Sequence, residues 1–309
     1  MKPDFQDIKI SDKELIAKLL GQNGNGSDGD ISCEKQFATI FSWRLAHPVK
    51  FMQCGEGVIF KYTWKDECLF MIKQPSLTEF DRCVRLLCEF CQNEKIKLIN
   101  MTEKEAMFLF EKYSADYSYD ENYSDYIYEA ENFRTYSGKK LHGKKNKLNK
   151  FITEFGDVYQ CKKITPSVIN DCLMLLDEWK ADNGDITGYK RHEIVAVEQL
   201  IVHYSELDLL GCCLYIDEKP IGFTIGEALY RGCENSTLVV HSEKASYDYD
   251  GAYPALAHFF AVQESDFKYI NREDDGGDPG LRKSKQSFSP LYQFHKYSTE
   301  LDKKKVLSI

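Results

Sequence analysis

The sequence predicts an α/β (α+β) protein made of two consecutive domains of one architectural pattern, and three observations carry that expectation. The chain has 309 residues, 43% of them hydrophobic, enough for two cores at roughly 150 residues per domain. Segments with helical apolar spacing alternate with β-rich segments. Their order also repeats: each half reads helix, helix, antiparallel hairpin, helix, strand, helix, strand. No sequence identity between the halves is evident, so the repeat is one of architecture alone.

In the first half, Ser11-Asp-Lys-Glu14 reads as a capping box, in which hydroxyl and carboxylate satisfy orphan donors at a helix start. Leu15, Leu19 and Leu20 supply the apolar stripe, and the helix is expected to end near Gly21. Residues 22–30 are almost all Gly, Asn, Ser and Asp, which predicts a flexible loop. Phe37, Ile40, Phe41 and Leu45 recur at helical spacing. From Gly57, Val58, Phe60 and Tyr62 alternate with Ile59, Lys61 and Thr63, and 68–72 runs back as the second strand of a hairpin. Ser76-Leu-Thr-Glu79 opens a helix carrying Phe80, Val84, Leu87 and Cys91; a short strand at 96–99, a helix capped by Thr102 and Glu105, and a strand at 126–128 follow.

In the second half, a basic helix near 139–151 leads into a strand at 158–163. Thr165 as N-cap and Pro166 at the first helical position predict a helix with Ile169, Leu173, Leu176 and Trp179 on one face. Ile194, Val197 and Ile201 mark the next helix. Residues 209–216 and 221–229 form a second hairpin around Asp217-Glu-Lys219, extended by a strand at 237–240. A helix with Ala252, Leu256, Phe259 and Phe260, a strand at 268–270, a glycine-rich loop, a short helix near 281–287 and a strand near 292–297 complete the chain.

Composition narrows the functional classes. The longest nearly unbroken apolar run, 207–216, is half of the ~20 residues a spanning helix needs, so no integral membrane segment is expected. The N-terminus is charged and polar throughout, unlike a secretory or transit signal. Eleven cysteines, an odd set lying mostly in apolar segments, fit reduced packed thiols and a cytosolic location. A net charge of −9 disfavours wholesale nonspecific binding to nucleic acid while leaving room for a local basic site.

Familiar motifs are missing or out of context. Gly24-Asn-Gly-Ser-Asp-Gly29 matches G-x-G-x-x-G literally, but a helix precedes it where the dinucleotide motif needs a strand. There is no G-x-x-x-x-G-K-[ST], no H-E-x-x-H and no G-x-S-x-G. Cys88-x-x-Cys91 has no second pair at zinc-ribbon spacing, and Cys212-Cys213 lies in a strand whose neighbours point to opposite faces. No metal site is expected.

Three segments could carry chemistry. The charged residues of 116–131 are all acidic; those of 138–150 are Lys139, Lys140, Lys144, Lys145, Lys147 and Lys150, with His142 beside them. They form either a solvated helix face packed by Leu141, Leu148 and Phe151 or a phosphate-binding patch. The segment 270–290 joins a strand end to a short helix, where α/β sheets commonly present ligands. It gathers Arg272, Glu273, Asp274, Arg282, Lys283 and Lys285. The segment 241–253 is expected to be the counterpart loop between a central strand and the following helix, whose N-terminus offers free amides, with Gly251 permitting close approach.

These segments resemble a known family. Asp125-Tyr-Ile-Tyr-Glu129, the lysine-rich 138–151, Glu227, His241-x-Glu-Lys-Ala245, Gly251-Ala-Tyr253, Asn271-x-Glu-Asp274, Gly280-Leu-Arg-Lys-x-Lys285 and Phe288-x-Pro290 are similar to motifs of soluble bacterial proteins related to the C-terminal domain of phosphatidylglycerol lysyltransferases. The resemblance implies two tandem GNAT-like domains, here 1–135 and 136–309, each a mixed, mostly antiparallel twisted sheet flanked by helices, with the active site in the second. It also implies kinship with Fem-type transferases and transfer of an aminoacyl group from a charged tRNA. A small-molecule or peptide acceptor offering an amine or hydroxyl is expected, with tRNA as partner through the basic segment and no cofactor beyond the donor.

Such an ester exchange needs an aligned nucleophile, donors for the developing oxyanion and a proton acceptor. Lys283 and Lys285 are assigned to oxyanion or phosphate stabilisation, and Glu273 or Asp274 to binding an amino group or taking a proton. Glu227, His241, Glu243, Lys244, Gly251, Tyr253, Asn271, Arg272 and Arg282 are assigned to substrate binding, and Lys139, Lys140, Lys144, Lys145 and Lys147 to donor phosphates. An acyl-CoA-dependent GNAT N-acyltransferase and a non-catalytic ligand-binding protein of the same fold are the alternatives.

Overall fold

A computed structural model describes residues 4–308 apart from 23, 25, 27–28, 65–66, 183 and 185–188. In chain order its elements are β1 (Gln6–Asp7), α1 (Lys13–Leu20), α2 (Phe37–Trp43), β2 (Val49–Cys54), β3 (Gly57–Trp64), β4 (Glu67–Lys73), α3 (Leu77–Phe90), β5 (Lys95–Met101), α4 (Glu103–Tyr113), β6 (Tyr117–Tyr119), β7 (Asp125–Glu129) and α5 (Ala130–Thr135). The second half contributes α6 (His142–Phe155), β8 (Tyr159–Lys163), α7 (Ile169–Asp182), α8 (Tyr189–Val202), β9 (Leu210–Ile216), β10 (Lys219–Leu229), β11 (Thr237–Ala245), α9 (Ala252–Gln263), β12 (Tyr269–Asn271), α10 (Pro279–Gln286), β13 (Tyr292–Phe294), β14 (Tyr297–Asp302) and α11 (Lys303–Ser308).

Local signals set several of these boundaries. Ser76 caps α3 by accepting from the Glu79 amide, and Thr102 and Glu105 close a reciprocal capping box on α4. Asp217 and Glu218 both adopt left-handed φ, the geometry of a tight hairpin turn, and join β9 to β10. Three expectations are corrected. A 3₁₀ turn at Ile10–Asp12 precedes α1, its first amide satisfied by Asp12 rather than Ser11, and Leu15 points outward at 42% exposure. Thr165 and Pro166 form a separate turn, closed by the Val168 amide on the Thr165 carbonyl, before α7 begins at Ile169. The predicted last strand is two strands, β13 and β14. The loop expected at 22–30 falls partly outside the described residues, and its described ends, Gln22 and Asp30, are buried.

The strands described form two seven-stranded sheets, ordered β1-β2-β3-β4-β5-β14-β6 and β13-β7-β12-β11-β10-β9-β8. Pairing is antiparallel except for β4–β5 and β11–β12, each joined through a crossover helix, α3 or α9. The expected division at 135/136 does not separate the sheets. The last strand of each half leaves its own sheet: β7 inserts between β12 and β13, and β14 inserts between β5 and β6. Periodicity specifies which face a strand buries, not which neighbour it pairs with, so this exchange is invisible in the apolar pattern.

The period of two is kept throughout. Val58 and Phe60 face a core shared by both sheets and by α1, α2, α7 and α8, while Ile59 faces the outer core under α3 and α4. Cys213, Tyr215, Phe223 and Ile225 enter the shared core from the other side; Cys212, Leu214 and Ile216 face a third core under α5, α6 and α9. Each fully buried side chain of this size contributes roughly 1.5–3 kcal/mol, so the two halves are bound by the same hydrophobic term that folds each. Cys212 and Cys213 lie on opposite faces as their strand predicts. Cys54 and Cys83 form a disulfide, where the cysteine pattern suggested thiols. No helix among the described residues is long and apolar enough to cross a membrane.

The chain crosses between sheets twice, at 120–124 and at 295–296, and the two crossings are fastened together. Ser124 Oγ lies 3.0 Å from His295 Nδ1, and the His295 ring stacks on Tyr119 with centroids 3.9 Å apart. Lys296 Nζ donates to Asp125 at 2.7 Å, Glu34 at 2.8 Å and Asp274 at 3.2 Å. Burial opposes the Lys296 charge, but Asp125, Cys33, Glu34 and Asp274 outweigh it and raise its pKa. A second buried pair, Lys73–Asp30 at 2.6 Å, lies nearby; its ammonium, against the cost of burial, holds Asp30 down at about 2. Lys296→Met leaves three carboxylates without their shared cation and is expected to cost about 3–5 kcal/mol, read as a lowered urea midpoint; an unchanged midpoint would remove this cluster from the fold's support.

Candidate active site

The site is built on an irregularity in the second sheet. Between β10 and β11 the register shifts, so that Ile225 faces Ser242 and Gly226 faces Val240, leaving His241 as the extra residue of a bulge that re-aims its side chain. A side chain on Gly226 would meet the Val239 carbonyl oxygen at 2.4 Å. β11 pairs with parallel β12 only as far as Val239 and Asn271 and then runs on to Ala245. The expected loop at 241–253 therefore begins later, and His241, Glu243 and Lys244 are strand residues. Where the parallel strands part, Arg272 and Glu273 leave β12 beside the free edge of β11, the position at which open sheets take ligands.

Three titratable groups meet there. His241 Nδ1 is 2.8 Å from Glu273 Oε1, and its Nε2 is 3.5 Å from Glu227 Oε2, though neither of those last atoms makes a hydrogen bond. Burial opposes protonation of His241, but Glu227 and Glu273 on either side prevail and raise its pKa to about 9, so it is an imidazolium at neutral pH. Gln22 donates to the other Glu227 oxygen and accepts from the Phe37 amide. Glu273 holds a left-handed φ of 56°, a strained state of order 1–3 kcal/mol, with its amide donating to Asn271 Oδ1 at 2.7 Å. Of the three ionisable side chains, Glu273 is the most exposed, at 18% against 3–4% for the others.

Beside this trio is a surplus of positive charge. Arg272 donates through Nη2 to Glu243, while its Nη1 is buried without a hydrogen-bond partner. The guanidinium lies 4.6 Å from the Phe288 ring centre, and Lys144 Nζ lies 3.7 Å from the same ring. Burial, then Arg272 and Lys147, push the Lys144 pKa down to about 8. Two cations thus meet at one aromatic ring, and only Arg272 is paired with a carboxylate, an arrangement suited to an incoming anion. Outward from Lys144, Lys139, Lys140 and Lys145 are exposed, and a pocket of about 410 Å³ is lined by Tyr136, Gly138, Lys139, His142 and Lys145. Lys147 and Lys150 both reach Asp250.

Other expected site residues are placed in supporting contacts. Lys285 is buried, and its Nζ donates to the Arg272 and Asp274 carbonyls, which fixes the loop that carries Glu273; burial pushes its pKa down. Lys283 is exposed on α10. Arg282 chelates Asp275 at 2.8 Å through two nitrogens and reaches Asn122. The Asp274 carboxylate is taken by Lys296 and the Gly276 amide. Asn271 donates to the Ile31 carbonyl and to Asp125. Lys244 donates to Glu193 at 2.6 Å over the Trp179 ring, and Tyr253 packs beside Tyr247. Gly251 has a φ of 89° and would place a side chain 2.5 Å from the Lys147 carbonyl oxygen, so it is needed for α6 to approach α9.

Gln22, Phe288 and Lys296 had no assigned role in the sequence reading. Gln22 sits in a turn-rich run with no pattern of its own; Phe288 belongs to a family-like motif but reads as a core residue; Lys296 is a lone lysine between aromatic residues. Cys33, Glu34 and Asp125 bring ligand atoms within 4.8 Å of one another, but the Lys296 ammonium binds among them, 3.8 Å from Cys33 Sγ.

Comparison with known proteins places this geometry. Residues 30–299 match the family model for phosphatidylglycerol lysyltransferase, C-terminal. A conserved protein of unknown function from Bacteroides thetaiotaomicron superposes with a TM-score of 0.86 at 28% identity, over 97% of this chain and 99% of that one. L-PGS from Bacillus licheniformis superposes with a TM-score of 0.58 at 13% identity, over 87% of this chain and 93% of that one, a likeness of fold. An uncharacterised protein of Mycoplasmoides gallisepticum is 26% identical over 216 residues, 66% of this chain and 64% of the relative, so the match spans just under two thirds of that protein's length. The matched region contains both sheets' central strands, the His241 trio and the cationic face of Phe288, and on it the chain belongs to the phosphatidylglycerol lysyltransferase C-terminal family.

Proposed function

We propose that the protein transfers an aminoacyl group from an aminoacyl-tRNA to an amine or hydroxyl acceptor. The observation that carries this reading is the surplus of cation at Phe288, where Arg272 and Lys144 lie at one ring, Arg272 paired with Glu243 and Lys144 with no ion-pair partner among the described residues. It adjoins the exposed lysines just before and at the start of α6 and, through Arg272, the residue Glu273. Family membership supports the acyl-transfer class, and the donor and acceptor are part of the proposal.

In the reaction, the acceptor's nitrogen or oxygen attacks the ester carbonyl, forming the new C–N or C–O bond as the ester C–O bond breaks. The acceptor's proton goes to Glu273 and from there to the leaving ribose oxygen. Asp274 is unsuited to this role because Lys296 holds it. His241 acts as a positioning residue that orients Glu273, with Glu227 behind it. Arg272 Nη1 and Lys144 take the phosphate next to the esterified nucleotide, and Lys139, Lys140 and Lys145 take phosphates further along. Lys285 holds the loop rather than touching substrate.

Three outcomes are expected. Glu273→Gln lowers kcat at least about 100-fold in transfer of labelled aminoacyl groups from mixed aminoacyl-tRNA to a panel of amines and alcohols, with donor affinity retained; unchanged turnover, or turnover with acyl-CoA in place of tRNA, would sink the reading. The triple variant Lys139→Ala, Lys140→Ala, Lys145→Ala flattens the slope of log K against log salt for tRNA binding by about two to three units, measured by filter retention. Because His241 is raised from 6.5 to about 9, its contribution to stability is complete below pH 6.5 and is lost as pH rises through 9. Urea midpoints across that range should show this alkaline loss, and His241→Gln should remove it.

A further inference from the structure

The first sheet carries a separate pocket on its outer face, away from the second sheet. It has a volume of about 370 Å³, within the range of small-molecule sites, and lies between the strands and the C-terminal end of α3. Phe5, Met52, Phe70, Leu86 and Phe90 make its walls apolar. Phe5 and Phe70 pack at 6.2 Å between ring centres. These are large side chains that ordinary core packing would have closed on one another.

The polar content of the pocket is of one sign. Lys61 lines it, half-buried, 5.9 Å from the Phe5 ring centre. In the β2–β3 ladder Lys61 stands directly opposite Lys50, a like-charge pairing that a sheet does not favour. Lys50 has an acid, Asp7, at 3.2 Å, and Lys95 at the rim has Glu300; Lys61 has no ion-pair partner among the described residues. Gln92 and Asn93 complete the mouth with neutral polar groups. A half-buried lysine lining an apolar pocket, with no ion-pair partner among the described residues, complements a ligand having an alkyl body and one negative end.

We infer that this pocket binds a single-chain monocarboxylate of the fatty-acid type, its alkyl chain against Phe70 and Leu86 and its carboxylate on Lys61. The site is independent of the transfer reaction proposed above. Cys68 and Cys91, both half-buried, also line it, so ligand binding should shield two thiols from alkylation.

The test uses the full chain with dansyl-undecanoic acid as probe. Saturable binding is expected, with decanoate and laurate as competitors and with decylamine and decanol at least about ten-fold weaker, a difference of one charge-assisted contact. Lys61→Gln should weaken decanoate about ten-fold and leave decanol unchanged. Leu86→Trp fills the slot and should abolish binding; if that variant melts early, Cys91→Phe serves in its place. Decanoate should also slow N-ethylmaleimide labelling of Cys68 and Cys91, read by peptide mass spectrometry, without slowing that of Cys161. No saturable binding, binding insensitive to both filling variants, decylamine equal to decanoate, or an equal loss for decanol in Lys61→Gln would overturn the inference. So would a preference for phosphatidylglycerol vesicles over free decanoate, which would assign the slot to a bilayer lipid.

Discussion

The contact between Lys296 and Asp125 is the point on which the architecture turns. Each half sends its last strand into the other half's sheet, and these two residues stand at the two crossings, 2.7 Å apart. Exchange of strands replaces an ordinary domain interface with backbone ladders, so neither sheet is complete without the other half. A buried ammonium at that junction is costly to desolvate and is repaid only when its carboxylates are in place. It therefore favours one arrangement of the crossing over slipped alternatives more than it adds to total stability.

The same junction positions the site. Asp125 accepts from the Cys33 amide and from Asn271, and Asn271 in turn accepts from the strained amide of Glu273. Lys296 occupies Asp274, and Lys285 clamps the carbonyls on either side of Glu273. The loop after β12 is thus held from three directions, while Glu273 remains free to face His241. Rigid support behind a part-buried acid is what the proton transfer proposed for Glu273 would require, since small errors in placement are expensive in rate.

Much of the fold was legible in the residues. The Thr102 capping box, the Asp217-Glu218 turn and the opposed faces of Cys212 and Cys213 are local consequences of side-chain chemistry and strand geometry, and they stand as read. The segment 270–290 was singled out by its density of polar groups, and Arg272 and Glu273 within it do meet His241 and Glu243. Roles within that segment were not legible. Lys283 and Lys285 differ by two positions on one helix, yet one is exposed and the other buried against carbonyls, a distinction fixed by the rotation of α10. The pairing of β7 and β14 with foreign sheets was equally hidden, because an apolar alternation looks the same whichever neighbour completes it. Gln22 gave no signal because its partner, Glu227, is distant in sequence.

Strand exchange also has a temporal side. The slot between β5 and β6 is filled by residues 297–302, a stretch far along the chain from both of its neighbours. As the polypeptide emerges from the ribosome, the first sheet has a gap at that position until residues 297–302 have been made. Its ladder edges are meanwhile open to improper pairing. The closing contacts have very large sequence separation, the class that forms slowly because loop entropy is lost before any contact rewards it. Completion of the first sheet therefore waits on β14, which closes the sheet and the crossing together.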